Sequence, residues 1–273
     1  MTLDASGPAV VGDGSGLPDG AGDPGRVLRA LQADARLLRD HTSLRPFPVA
    51  VSARDAGELG AALRGLPAAT SIFVARTEAA RAREVQRVLA HEGGVPVITE
   101  QDTQAIALTA EVLVRLRRAR IAPFDARVVV AGPPVVPLLP ALLTVAGIGD
   151  VTSWNRDDAH GFPLSSVTRE ADVVVDLLGL APAPGEAGYQ LVAPGDPAAA
   201  LLALPGLLSA VHERAAAGKL SGHPMAHIEV HRACAQALAR LTPVDRVLPE
   251  IADPDLTRRV ADAAGEALGP RRR

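Results

Sequence analysis

The sequence predicts an α/β protein, a doubly wound and mostly parallel Rossmann-like sheet with helices on both faces. Three observations predict it. From Pro46 onward, short β-branched runs alternate with longer amphipathic segments, the pattern of repeated βα units. The strand segments are apolar without alternation, as strands covered on both faces are. Hydrophobic residues make up 48% of the chain and aromatics only 2%, so the core has to be packed from Ala, Val and Leu.

Residues 1–25 are rich in Gly, Asp and Pro and are expected to form a disordered tail, because they bury too little apolar surface to offset the entropy of ordering. Residues 26–94 read as a small N-terminal α/β segment, and 95–273 as a Rossmann-like domain of NAD(P)-binding type. Val27, Leu28, Leu31, Leu37 and Leu38 share one helical face, which predicts a helix from Arg26 to His41. Strands are predicted over Pro48–Val51, Ser71–Ala75, Val95–Ile98, Arg127–Ala131, Asp150–Trp154 and Asp172–Leu177. Helices fall between them over Asp55–Leu63, Glu78–His91, Thr103–Arg118 and Val135–Val145, and later over Leu201–Ala216, Ala226–Leu241 and Pro254–Leu268. The Pro/Gly-rich stretch Ala181–Pro197 predicts a loop.

A formal net charge of -3 leaves no excess of cations for a phosphate backbone, and six aromatic residues offer little for base stacking, so nucleic acid is not an expected partner. Apolar stretches such as Val135–Ile148 are broken by Pro137, Pro140 and Gly147 and fall short of the ~20 residues a membrane span needs. One cysteine, Cys234, excludes an intramolecular disulfide, and no cleavable leader is recognisable, so the cytoplasm is the expected compartment. Lys219 is the only lysine, so any lysine chemistry falls to it.

The segment Ala126–Val145 places a buried strand, a Gly-Pro turn and an apolar helix where a dinucleotide fold has its first βα turn. The candidate cofactor contacts there are Gly132, Pro133 and Pro134. Pro134 and Pro137 occupy the second and third glycine positions of G-x-G-x-x-G, which removes amide donors and puts rings where the phosphate would approach. The turn either binds a dinucleotide in altered form or merely packs. After the next strand, Asn155 and Asp157 are candidates for the ribose hydroxyls, with Asp158 beside them; Asp in such a turn also serves as a cap. Glu100 and Asp102 are two carboxylates able to offer oxygen ligands to Mg²⁺ or Mn²⁺, with capping of a helix at Thr103 as the alternative for Asp102. His223, His227 and His231 form the densest titratable cluster; on a helix His227 and His231 share one face, as a metal pair or as a partly buried pair. The run Arg115–Arg120 ends a helix whose carbonyl dipole favours cations.

The string VPVITEQDTQAIALTAEVLVRL followed by ARVVVAG resembles the start of the nucleotide-binding domain of malic enzymes. Ala171–Val175, Leu204-Pro205-Gly206 and the closing VLPEIADPDLTRRVADAAGEAL follow in the family's order, and the resemblance covers roughly Ser71–Leu268. It implies a divergent, truncated chain with NAD or NADP and Mg²⁺ or Mn²⁺ as cofactors, oxidative decarboxylation of malate as the reaction, and metal ligands at Glu100 and Asp102. The family's Lys general base and Tyr general acid match no motif here, since no lysine precedes Lys219 and the only tyrosine is Tyr189. Its two substrate-holding asparagines stand as Ala199 and Ala200. Catalytic residues are therefore not assigned. The expected functions are a malic-enzyme-like protein with degenerate or lost catalysis, a non-catalytic module pairing with a second copy or a partner subunit, or another small-molecule reaction in the same cleft.

Overall fold

The computed structural model describes residues 7–17, 23–66, 69–181, 188–195, 197–219 and 228–269. Its strands form two four-stranded parallel sheets, ordered β2-β1-β3-β4 and β6-β5-β7-β8. Renumbered from one, both orders are 2-1-3-4, so each sheet has its topological switch point between its first and third strands.

The chain divides into two compact units. Unit 1 holds residues 1–100, 204–230 and 257–273, and unit 2 holds 101–203 and 231–256. The expected contiguous domain over 95–273 is thus interrupted, because two C-terminal stretches pack with the N-terminal sheet. That N-terminal part is a complete sheet and not a small appendage.

In unit 1, β1 (Gly7–Gly12) pairs in parallel with both β2 (Phe47–Ala50) and β3 (Ala69–Val74), and β4 (Val97–Thr99) extends the sheet from β3. This corrects the expected tail over 1–25: its residues 7–12 are a fully buried central strand. The glycines that suggested disorder are there for close packing. A Cβ on Gly7 would lie 2.1 Å from the Arg45 carbonyl oxygen, and one on Gly12 2.3 Å from that of Ala75. Helices α1 (Pro24–His41), α2 (Ala56–Arg64) and α3 (Ala79–His91) connect the strands, capped by Asp23, Asp55 and Glu78, whose side chains accept from first-turn amides. Ala9, Val11, Leu59, Leu63, Ile72, Val74, Val85 and Val97 form one cluster on this sheet. Burying a Val, Leu or Ile side chain of this kind contributes about 1.5–3 kcal/mol.

In unit 2, β5 (Arg127–Ala131) lies between β6 (Asp150–Trp154) and β7 (Val173–Asp176). The edge strand β8 (Gln190–Val192) falls inside the stretch expected to be a loop. Helix α4 (Glu100–Ala119) leads into the unit and is buried over most of its length. Short helices α5 (Leu139–Val145) and α6 (Leu164–Val167) serve the crossovers. The C-terminal helices are α7 (Leu204–Ala216), α8 (Ile228–Leu241) and α9 (Leu256–Ala267). Among the described residues no helix is long and apolar enough to cross a membrane.

Candidate functional site

The candidate dinucleotide turn sits at the unit 2 switch point, where a doubly wound sheet presents its ligand crevice. Gly132 has the left-handed backbone a tight turn needs, with φ of 82°. Its missing side chain leaves room, but that room is taken. A Cβ on Gly132 would lie 2.6 Å from Cγ and 2.7 Å from Cδ2 of Leu178, whose chain returns over the turn from the end of β7. Two amides pin this return: Leu178 and Ala181 donate to the Asp176 carboxylate at 3.0 and 2.6 Å.

The donors of the turn are engaged as well. The Gly132 amide donates to the Trp154 carbonyl at 2.8 Å, Val135 to Gly132, and Val136 to Pro133. Pro133 and Pro134 have no N–H to offer. The residues after Gly132 form a 3₁₀ turn over Pro133–Val135, so the expected helix from Val135 starts only at Leu139. A pyrophosphate needs bare backbone and open amides at a helix start, and Gly132, Pro133 and Pro134 supply neither. These residues do not fit the diphosphate of NAD or NADP.

Asn155 and Asp157 follow β6. The Asn155 amide donates to the Asp158 carboxylate at 2.9 Å, which closes the turn that starts at Arg156. Asp157 is exposed. Trp154 fixes the same region by donating from Nε1 to the Phe162 carbonyl at 2.7 Å. Tyr189 is buried and packs with Trp154, Leu164 and Val174, and burial holds its phenol above the ordinary range. Lys219 is exposed beyond α7.

The two candidate metal ligands have separate engagements. Helix α4 begins at Glu100, so Asp102 lies within its first turn and does not cap a helix at Thr103. Glu100 belongs to a three-membered cluster in unit 1. Arg76, whose φ of 55° is left-handed, donates its amide to Glu100 at 2.9 Å and its guanidinium to Glu100 and to both Asp34 oxygens, the latter at 3.1 Å. Asp102, in unit 2, faces His231 on α8, with Oδ1 3.7 Å from Nε2. Among the described residues neither ring nitrogen of His231 has a hydrogen-bond partner, although the residue is only 1% exposed. His223 and His227 lie outside the described residues. Among the described residues no group of three or more His, Cys, Asp or Glu side chains is placed to hold a metal ion. Glu100, neutralised by a guanidinium, does not fit a hard dication that gathers about six oxygens.

Asp34 gives the cluster a pH signature. Burial raises its carboxyl from 3.8 to about 6, with Arg76 pulling it down and Glu100 pushing it up. Between pH ~4 and ~6 the folded chain holds the proton that the unfolded chain has released, so this group makes stability fall as pH rises, and its effect levels off above ~6. The total is about 3 kcal/mol, from 1.36 kcal/mol per unit. Urea unfolding of the native protein and Asp34→Asn across that window is expected to show the slope in the former and its loss in the latter. An identical slope in both would assign it elsewhere.

Sequence reasoning missed the turn Gly12-Asp13-Gly14-Ser15-Gly16 at the unit 1 switch point. Asp13 accepts from the Ser15 amide at 3.0 Å, from the Ser15 hydroxyl at 2.6 Å and from Arg81 of α3 at 2.5 Å. Arg81 also donates to the Ala53 and Arg54 carbonyls. The signal was present as PAVV followed by alternating glycines. The Arg115–Arg120 run has a structural use: Arg117 and Arg118 donate to carbonyls of Thr242, Pro243 and Arg246 beyond α8. Cys234 is fully buried, which pushes its thiol up to about 12.

No protein-family model matches the chain, and no curated protein does. Solved structures do match over nearly its whole length. An NAD-dependent malic enzyme from Thermotoga maritima superposes with a TM-score of 0.79 at 18% identity, covering 96% of this chain and 84% of its own. The fold is that of the malic enzymes. The malic enzyme from Pyrococcus horikoshii gives 0.79 at 16% identity, with 98% and 77% covered. That from Entamoeba histolytica gives 0.77 at 16%, with 98% and 70% covered. The expected α/β architecture and the malic-enzyme likeness both hold at the level of fold. The malic-enzyme fold here includes unit 1, beyond the stretch from Ser71 that the sequence motifs marked.

Proposed function

We propose that this chain is a malic-enzyme-fold protein that does not carry out NAD(P)-dependent oxidative decarboxylation of malate. One observation carries the reading: Leu178 occupies the space over Gly132 that a diphosphate would need. The engaged amides of the turn support it, as do Ala199 and Ala200 in place of the family's polar pair. The retained part is the apolar framework, which favours a binding role over redox chemistry.

Calorimetric titration with NAD⁺ and NADP⁺, with and without Mn²⁺, tests this together with a malate-dependent reduction assay. No saturable heat and no reduced nicotinamide are expected. Micromolar binding joined to malate-dependent turnover would refute the reading.

A further inference from the structure

Unit 2 contains a cavity of about 910 Å³ just beyond the carboxyl end of β8. Open α/β sheets bind ligands outside the carboxyl ends of their strands, and ligand pockets measure roughly 300–1,000 Å³. The walls are mainly apolar and include Ala199, Leu202, Val247, Leu248 and Ile251. Ala199 is one of the positions where the malic-enzyme resemblance implies a polar side chain.

One polar group on the wall comes from the packed interior. Glu111 of α4 is only 8% exposed. Arg115, one turn on, binds it through a single oxygen: Nε at 2.9 Å and Nη2 at 2.5 Å both reach Oε1. No hydrogen bond among the described residues reaches Oε2. Oε2 thus faces the cavity without a donor from the described residues, and a ligand that carries donors takes the place of water there. The lining also includes Asp245, Glu250 and Arg246. With Arg115 on Glu111 and Arg246 on Glu250, Asp245 leaves one negative charge in excess, which disfavours a carboxylate relative to an ammonium.

We propose that this cavity binds a small apolar amine, its ammonium donating to Oε2 of Glu111 and its carbon body lying on Leu202, Val247, Leu248 and Ile251. Such binding goes beyond the absence of malate chemistry and stands whether or not a dinucleotide binds at Gly132.

The test is a ¹⁵N-resolved titration of the full chain with n-hexylammonium, with 1-hexanol and hexanoate as probes of matched length. Hexylammonium is expected to produce saturable shifts at the Ala193, Leu202, Val247 and Ile251 amides. Hexanol should bind at least about tenfold more weakly and hexanoate not at all, since a hydrogen bond to a charged group is worth roughly tenfold or more in affinity. Glu111→Gln should weaken hexylammonium about tenfold. Ala199→Phe fills the cavity while leaving Glu111 in place and should abolish binding, which keeps the test decisive if Glu111→Gln unfolds. Hexanoate binding as well as the ammonium, an affinity unchanged by Ala199→Phe, or shifts without saturation would overturn the proposal.

Discussion

Replacing Arg81 with Met is expected to destabilise the protein by about 3–5 kcal/mol, the usual cost of removing one partner from a buried ion pair. The Asp13 side chain is 0% exposed, and among the described residues Arg81 supplies its only charged donor. The same guanidinium ties the ends of three elements together, because it also holds two carbonyls in the segment after β2. Removing it leaves a charged acceptor where water does not reach, and most of the loss comes from that stranded charge. The double variant Asp13→Asn/Arg81→Met should therefore recover part of the stability, which chemical denaturation reads directly. A double variant as unstable as the sum of the single ones would show that the pair is not coupled.

Gly206→Ala is expected to cost about 2–3 kcal/mol or more, because it adds a methyl group where two helices meet without room for one. A Cβ there would fall 2.6 Å from the Thr257 carbonyl oxygen, 2.7 Å from Cβ of Val260 and 2.8 Å from the Ala261 amide nitrogen. Two of those atoms are backbone, so relief requires α9 to move away from α7. Gly265, on α9 itself, makes the contrast: nothing lies within 4 Å of the point where an alanine methyl would stand. Gly265→Ala should instead stabilise by up to about 1 kcal/mol through helix propensity. Thermal melts of the two variants should move in opposite directions. Equal shifts would mean that α7 and α9 do not touch at Gly206. The Pro-Gly pair that resembles the malic-enzyme motif has a packing use here, independent of any substrate.

The sequence exposed the βα alternation because that signal is local. Runs such as Val128–Val130 and Val173–Val175 are buried on both faces and read as such. Strand β1 was hidden by its own packing requirement: the glycines that admit the Arg45 and Ala75 carbonyls look, in composition, like a disordered tail. Strand β8 was hidden by the Pro/Gly residues around it. At the candidate site, the loss of amide donors was legible as Pro134 and Pro137. The occupant of the crevice was not, since Leu178 lies 46 positions beyond Gly132 and only the β5–β7 pairing brings it there. The Asp34–Arg76–Glu100 cluster joins α1, the end of β3 and the start of α4, and no single window contains it. Asp102 misled for a different reason. An Asp before an apolar periodic run usually caps a helix, but α4 starts two residues earlier and Asp102 faces His231.

Whether the crevice accepts a diphosphate turns on one backbone position. The most direct measurement follows the Gly132 amide signal while NAD⁺ is added in the presence of Mg²⁺. With its hydrogen bond to Trp154 intact and Leu178 above it, that signal should stay in place up to millimolar NAD⁺. A saturable displacement of the Gly132 signal, with matching changes at Leu178, would contradict a filled crevice.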